Sequence, residues 1–288
     1  MILIAGATGQ LGGTIARRLL QAGRPVRVLV RPGSDHQALL DLDAELAFGD
    51  LKDPASLAPA CRGIEAVITT ANSAARGGED TVESVDRTGN RNLIDVAAAA
   101  GVRRFIFVSA LGADPASPSP FMQAKAASEE HLRNSGMTHV ILRPNIFMDV
   151  WIPMIVGMPL ANGQPVTIVG TGARRHSFIA VDDVASFAIA ALDHDAAANR
   201  TLVLGGPSAV SWLDIIGIFE RELGREIPVR HIPLGESIPG LPDVVSQLAA
   251  AFDTFDSPID MTETARTFGV TLTPVEVFVR RQLAVAGG

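Results

Sequence analysis

"ILIAGATGQLGGTIARRLL", residues 2–20, passes from an apolar run directly into a glycine-spaced turn and then into apolar positions at helical spacing. Gly6, Gly9 and Gly12 mark the turn, and Leu11, Ile15, Leu19 and Leu20 recur on one face of the helix that follows. A strand, a glycine turn and a helix N-terminus in this order let backbone amides from Gly6 through Thr8, Gly9, Gln10 and Leu11 to Gly12 approach a pyrophosphate closely. There the helix dipole favours negative charge. A bare glycine triplet could also serve tight packing. Its position at the first strand-to-helix turn of an alternating chain selects the dinucleotide reading.

The alternation extends outward from that turn. "VRVLV", "AELAFG", "EAVITTA", "RRFIFVS" and "HVILRP" are short apolar runs separated by helical patterns up to about residue 145. Runs apolar on both faces with helices between them predict a parallel sheet with right-handed crossovers, a doubly wound Rossmann-type α/β fold. After Pro144 the regularity weakens through "IPMIVGMPLANGQP", a helix returns over 181–194, and a smaller mixed α+β lobe begins near residue 205, with Ser211 as a helix cap. The expected division is a nucleotide-binding domain over 1–145, with 176–204 returning to it, and a substrate-binding lobe made of 146–175 and 205–288.

Composition narrows the class of protein. With 288 residues, 47% of them hydrophobic, the chain can bury a large core. Its net charge of −7 and scattered basic residues argue against nucleic acid as a partner. Met1 leads straight into the first strand without a basic leader, and the most apolar later stretch, 139–161, is broken by Arg143, Asp149 and prolines. The expectation is a cytoplasmic protein without a membrane partner, monomer or homodimer. The single cysteine, Cys61, excludes an internal disulfide and suits helix packing. No His, Cys and carboxylate cluster has metal-ligand spacing.

Cofactor choice should be decided at the end of the second strand, where an acidic residue would hold a ribose 2′-hydroxyl. Arg31 stands there, with Ser34 nearby, and a guanidinium suits a 2′-phosphate. NADP(H) is therefore expected over NAD(H); the other reading is a solvated Arg31 with Asp35 at the ribose. In "FGDLKD", Asp50 is placed for the adenine amino group and Leu51 for its ring, while Asp53 suits the cap of the next helix. Thr70, Ala71 and Asn72 end the fourth strand with small residues that let the chain pass close to the cofactor.

Together "GATGQLGG", "VRVLVRPGS", "FGDLKD", "RRFIFVSALGA", "KAASEEHLRNSGMTHVILRPNIFM", "HSFIAVDDVA" and "LGGPSAVSWLDI" resemble the atypical short-chain dehydrogenases/reductases, in particular the NmrA-like NAD(P)-binding family. The likeness implies that the cofactor lies over Gly6–Gly12, that Lys125 reaches the nicotinamide ribose, and that Pro144, Asn145 and Phe147 pass the nicotinamide. It covers reductases and cofactor sensors alike. The chain departs from the pattern at two catalytic positions: Phe121 stands for the tyrosine, and Ala110 for the serine, with Ser109 one residue early. The chain contains no tyrosine at all. Phe121 and Lys125 are four apart on one helical face; the alternative for Lys125 is an exposed lysine paired with Glu129.

Loss of a positioned general acid removes about 10²- to 10⁴-fold in rate. Quinones and enones, which yield weakly basic phenolates or enolates, need that acid least, and the cation of Lys125 could assist the developing charge. Around Ala110 and Phe121, the segment of Asn145, Phe147, Met148, Trp151, Met154 and Met158 suits a flat apolar or aromatic substrate, with His176 at the rim; the same stripe could be plain core. Two classes of function follow: an NADPH-dependent reductase of a small conjugated apolar compound, and an NADP(H)-sensing regulator without turnover.

Overall fold

In a computed structural model, which describes residues 1–74 and 77–286, the six apolar runs are the first six strands. β1 (Ile2–Ala5), β2 (Val26–Val30), β3 (Glu45–Phe48), β4 (Ala66–Thr69), β5 (Arg104–Val108) and β6 (Thr138–Pro144) pair in parallel. Three further strands, β7 (Val166–Val169), β8 (Arg200–Leu204) and β9 (Val229–Ile232), lie outside those runs. β8 completes a seven-stranded sheet of order β3-β2-β1-β4-β5-β6-β8, while β7 and β9 form a separate parallel pair. β8 runs the same way as β6, because Asn199 N–H donates to His139 O at one end and Asn145 N–H to Leu204 O at the other.

The side chains of β1 and β4 are wholly buried, which is the condition of central strands covered by helices on both faces. β3 is the edge strand, with Glu45 and Phe48 exposed. Glu45 accepts from Arg27 of β2 at 2.8 Å, so the edge carries a charge pair rather than a bare apolar ribbon.

The helices follow from local signals. α1 (Gln10–Gln21) buries Gly12, Ile15, Ala16 and Leu19 at helical spacing. α2 (Gln37–Leu40) is one short turn, and α3 (Pro54–Cys61) starts with Pro54, with the Asp53 carboxylate accepting from Ala55 N–H at 3.1 Å. A wide π-type segment, Val82–Gly89, runs into α4 (Asn90–Ala99), and α5 (Pro120–Arg133) follows β5. A helix over Val181–Ala190 carries Asp182 and Asp183 in its first turn, and Ser211 caps Trp212–Leu223 through a reciprocal pair of bonds with Asp214. Cys61 is fully buried in the first core, among Leu57, Val67 and Phe105.

Two compact units emerge: Met1–Pro144 with Val184–Val203, and Asn145–Asp183 with Leu204–Gly288. The division corrects the expected boundary, since 176–183 groups with the second unit. There His176 and Ser177 donate their backbone N–H groups to Val210 and Ser257, and the Phe178 ring meets Trp212 edge-on at 5.1 Å. None of the described helices is long and apolar enough to cross a membrane.

Candidate functional site

The strand order reverses direction between β1 and β4, and in sheets of this kind ligands lie beyond the carboxyl ends at that switch. Gly6 leaves β1 with φ +88°, a conformation that side chains disfavour, and a Cβ there would stand 2.5 Å from Thr70 Oγ1. A Cβ on Gly12 would stand 2.3 Å from Gly6 O, so the loop and α1 touch backbone to backbone. Gly9 differs: a Cβ would meet only Gly6 O, at 3.4 Å, and its φ of −89° suits any residue. The cap position of α1 is this glycine, without a side-chain bond to the first turn. Thr8, Gly9 and Gln10 are exposed and Leu11 half-buried. A close-packed glycine loop before an uncapped helix start fits a pyrophosphate.

Beside the loop lies a cavity walled by Gly6, Thr8, Arg31, Ser34, Asp50, Leu51, Ala71 and Asp80, among others. Arg31 Nη1 donates to Asp80 Oδ2, and Lys52 Nζ donates to Asp80 Oδ1 at 2.8 Å. The bond from Lys52, with that from Arg31, holds the Asp80 carboxyl below its usual range despite burial. Lys52 also lies 3.7 Å from Asp50, whose other oxygen accepts from Lys52 N–H. Arg31 is thus ion-paired, with its side chain 39% exposed, and Asp35 is exposed and bonded to Gln37 N–H. On the β4 side, Thr70 Oγ1 bonds Gly6 O at 3.3 Å, and Asn72 makes a local turn by accepting from Ala74 N–H.

Lys125 is not an exposed lysine. It is 2% exposed, on the buried side of α5, and neither paired with Glu129 at the surface nor open to it. Its ammonium lies 3.4 Å from Asp86 Oδ1 and is covered by Phe107 and Phe121, with ring centroids at 5.1 and 5.2 Å. Burial holds its pKa below the ordinary lysine value, against the pull of Asp86. Asp86, 0% exposed, accepts from both Ser73 N–H and Ser73 Oγ. Ser109 is turned to a second buried group: its hydroxyl donates to Glu129 at 2.6 Å, and Glu129 also accepts from Arg143 and Arg133. Burial opposes ionisation of Glu129, and the bonds from Arg143 and Ser109 outweigh it. Ala110 and Phe121 are both half-buried.

In the second unit the expected pocket stripe divides. Met148 is fully buried in the core with Ile152, Ile155 and Phe178, and a Cβ on Gly206 would stand 3.4 Å from its methyl group, so it is packing rather than pocket wall. His176 is not a rim residue either. It is 1% exposed, and its ring bonds Ser257 Oγ at 2.7 Å and Phe252 O at 2.9 Å. Burial lowers its pKa. Asn145, at the end of β6 after the buried Pro144, donates to the Ser257 backbone oxygen at 3.0 Å. Trp151 meets Phe252 edge-on at 4.8 Å, Phe147 and Met154 are half-buried, and Met158 is exposed. Among the described residues no group of three or more His, Cys, Asp or Glu could hold a metal ion.

Lys52, Asp80 and Asp86 escaped the sequence reading because their partners are remote in the chain: Arg31 is 49 residues from Asp80 and Lys52 is 28. One signal was available for Asp86. Phe121, Lys125, Ser128 and Leu132 share a helical stripe, and a lysine on a stripe that becomes buried requires a carboxylate.

The comparisons with known proteins agree with this architecture. The sequence profile of a family described as NAD(P)H-binding matches residues 6–195. The photosystem II assembly factor Ycf39 of Cyanophora paradoxa is 34% identical over 233 residues, 81% of this chain and 72% of that protein. An NAD(P)H azoreductase of Xenophilus azovorans is 28% identical over 81% of this chain and 77% of its own. The NADPH-dependent quinone oxidoreductase QOR2 of Escherichia coli, solved with NADPH, shares the fold with a TM-score of 0.80, at 23% identity over 98% of this chain and 100% of its own. With its glycine turn at the switch point of a seven-stranded sheet, the chain belongs to the NAD(P)H-binding family whose profile it matches.

Proposed function

We propose that the protein is an NADPH-dependent reductase of a small, conjugated, apolar substrate of the quinone or enone type. The observation that carries the reading is Phe121 on α5, its phenyl ring against Lys125 where the family's proton-donating phenol would stand, in a chain without any tyrosine. The azoreductase relative and the fold shared with a quinone oxidoreductase support the reaction class.

When bound, NADPH supplies the hydride. The chain's own part is binding and field. The loop of Gly6–Gly12 receives the pyrophosphate, Arg31 meets the 2′-phosphate, and Asp50, Leu51, Thr70, Ala71 and Asn72 border the nucleotide. Pro144, at the end of β6, would approach the nicotinamide. Lys125 contributes a fixed cation below the site rather than a proton, and Asp86 offsets part of its charge. Without a protein phenol the product anion must be weakly basic enough for water to protonate it. Turnover of quinones and enones should therefore exceed that of unactivated ketones by about 10²-fold or more, the scale of an absent general acid. NADPH oxidation by the purified protein across the three substrate classes tests this. Equal rates, or none above the uncatalysed reaction, would remove the reading.

Cofactor choice is a separate expectation. Arg31→Ala should weaken NADPH about ten- to a hundredfold, the size of a lost charge-assisted contact, with little change for NADH. Fluorescence titration of the two nucleotides reads it, and parallel losses would place the 2′-phosphate elsewhere.

A second reading is favoured by one observation, the inward, Asp86-paired position of Lys125. A site whose lysine is buried and paired with a carboxylate suits a cofactor-binding sensor, and a 34% identical relative is named as an assembly factor. In that case NADPH binds tightly and is not consumed.

A further inference from the structure

Arg31, Lys52 and Asp80 meet at one end of the nucleotide cavity, with Asp80 between the two cations. Asp80 Oδ2 takes the bond from Arg31 and Oδ1 the bond from Lys52. Its side chain is 8% exposed, so the carboxylate is built into the cavity wall rather than waving from a surface loop. Ser34 and Asp50 line the same cavity. We propose that Asp80 sets the discrimination between phosphorylated and unphosphorylated dinucleotide by occupying, between Arg31 and Lys52, the position that a 2′-phosphate requires. The proposal rests on the cofactor reading above and adds to it a residue that acts against the phosphate.

The physical reason is substitution of like for like. A carboxylate bridging two cations through separate oxygens offers the same two charge-assisted acceptors as a phosphate monoester. Binding a 2′-phosphate therefore exchanges existing bonds for new ones, and either turns Asp80 away or brings two anions together at one pair of cations. The second course sets a phosphate against anions already there: Asp80 and Asp50 pair with the two cations, and Glu79 also acts on Lys52. An unphosphorylated ribose leaves the triad intact, and its 2′-hydroxyl can donate to a carboxylate. Arg31 alone would make the site strongly selective for NADPH; Asp80 reduces that selectivity and keeps NADH within reach.

The test is titration of NADPH and NADH into the wild-type protein, Asp80→Asn and Lys52→Gln, followed by quenching of intrinsic tryptophan fluorescence or by calorimetry. Removing the negative charge at position 80 should strengthen NADPH by tenfold or more while NADH stays within about twofold or weakens. Lys52→Gln should do the reverse, weakening NADPH about tenfold with NADH spared. It reports independently if Asp80→Asn proves unstable. If the NADPH-to-NADH affinity ratio is unchanged in both variants, Asp80 is only a loop latch and the proposal is overturned while the cofactor reading stands. If the wild type binds neither nucleotide, both fall.

Discussion

Lys125→Met should lower the unfolding free energy by about 3–5 kcal/mol, the cost of leaving one member of a buried ion pair without its partner. Asp86 is wholly buried, and among the described residues Lys125 is the cation paired with its Oδ1, at 3.4 Å. The two bonds from Ser73 fall on Oδ2 and do not replace that charge. With methionine at 125, the buried Asp86 carboxylate loses the cation that faces its Oδ1. Neutralising both positions, in Lys125→Met with Asp86→Asn, should recover most of the loss, because a missing pair is far less costly than half a pair. Urea denaturation of the wild type, the single variant and the double variant reads the effect. A single variant within about 1 kcal/mol of wild type would mean that the pair contributes little to stability. The result also governs how activity is interpreted: a slow Lys125→Met protein is informative only where nucleotide binding and folding are intact.

Gly9→Val should remove measurable affinity for both nucleotides, about a hundredfold or more, while leaving the melting temperature within a few degrees of wild type. The three glycines of the turn are not equivalent. Gly6 has a left-handed φ and presses on Thr70, and Gly12 touches the backbone of Gly6, so side chains at either must push main chain apart. Gly9 has an extended conformation and its nearest obstacle is ordinary contact distance away. A valine there costs the helix start about 1 kcal/mol at most, as a poor cap in place of glycine. Its branched side chain projects where a pyrophosphate would approach the first turn of α1. Gly12→Val is the contrasting variant and should unfold the protein. Calorimetric melting with nucleotide titration separates the two; a folded Gly9→Val protein with normal affinity would move the dinucleotide off this turn.

Periodicity made the sheet legible. β1, β2, β4, β5 and β6 are mostly buried strands inside the sheet, so their sequences are short, predominantly apolar runs rather than alternating ones. Asp53 and Ser211 were legible for a related reason, since a cap acts on amides two or three residues away and leaves its mark within one turn. β8, with exposed Arg200 and Val203, lacked such a run and went unread.

The glycine turn, the alternation that builds the doubly wound sheet and the place of Arg31 just past β2 depend on neighbours along the chain and are legible in it. The fold settles what depends on partners twenty or more residues away. It turned Lys125 inward to Asp86, engaged Ser109 with Glu129, set Asp80 between Arg31 and Lys52, and took Met148 and His176 into the core of the second unit. The reason lies in the range of the forces. Backbone geometry and hydrophobic periodicity are written at spacings of two to four residues, whereas a buried charge takes whichever opposite charge the folded chain brings within a few ångströms.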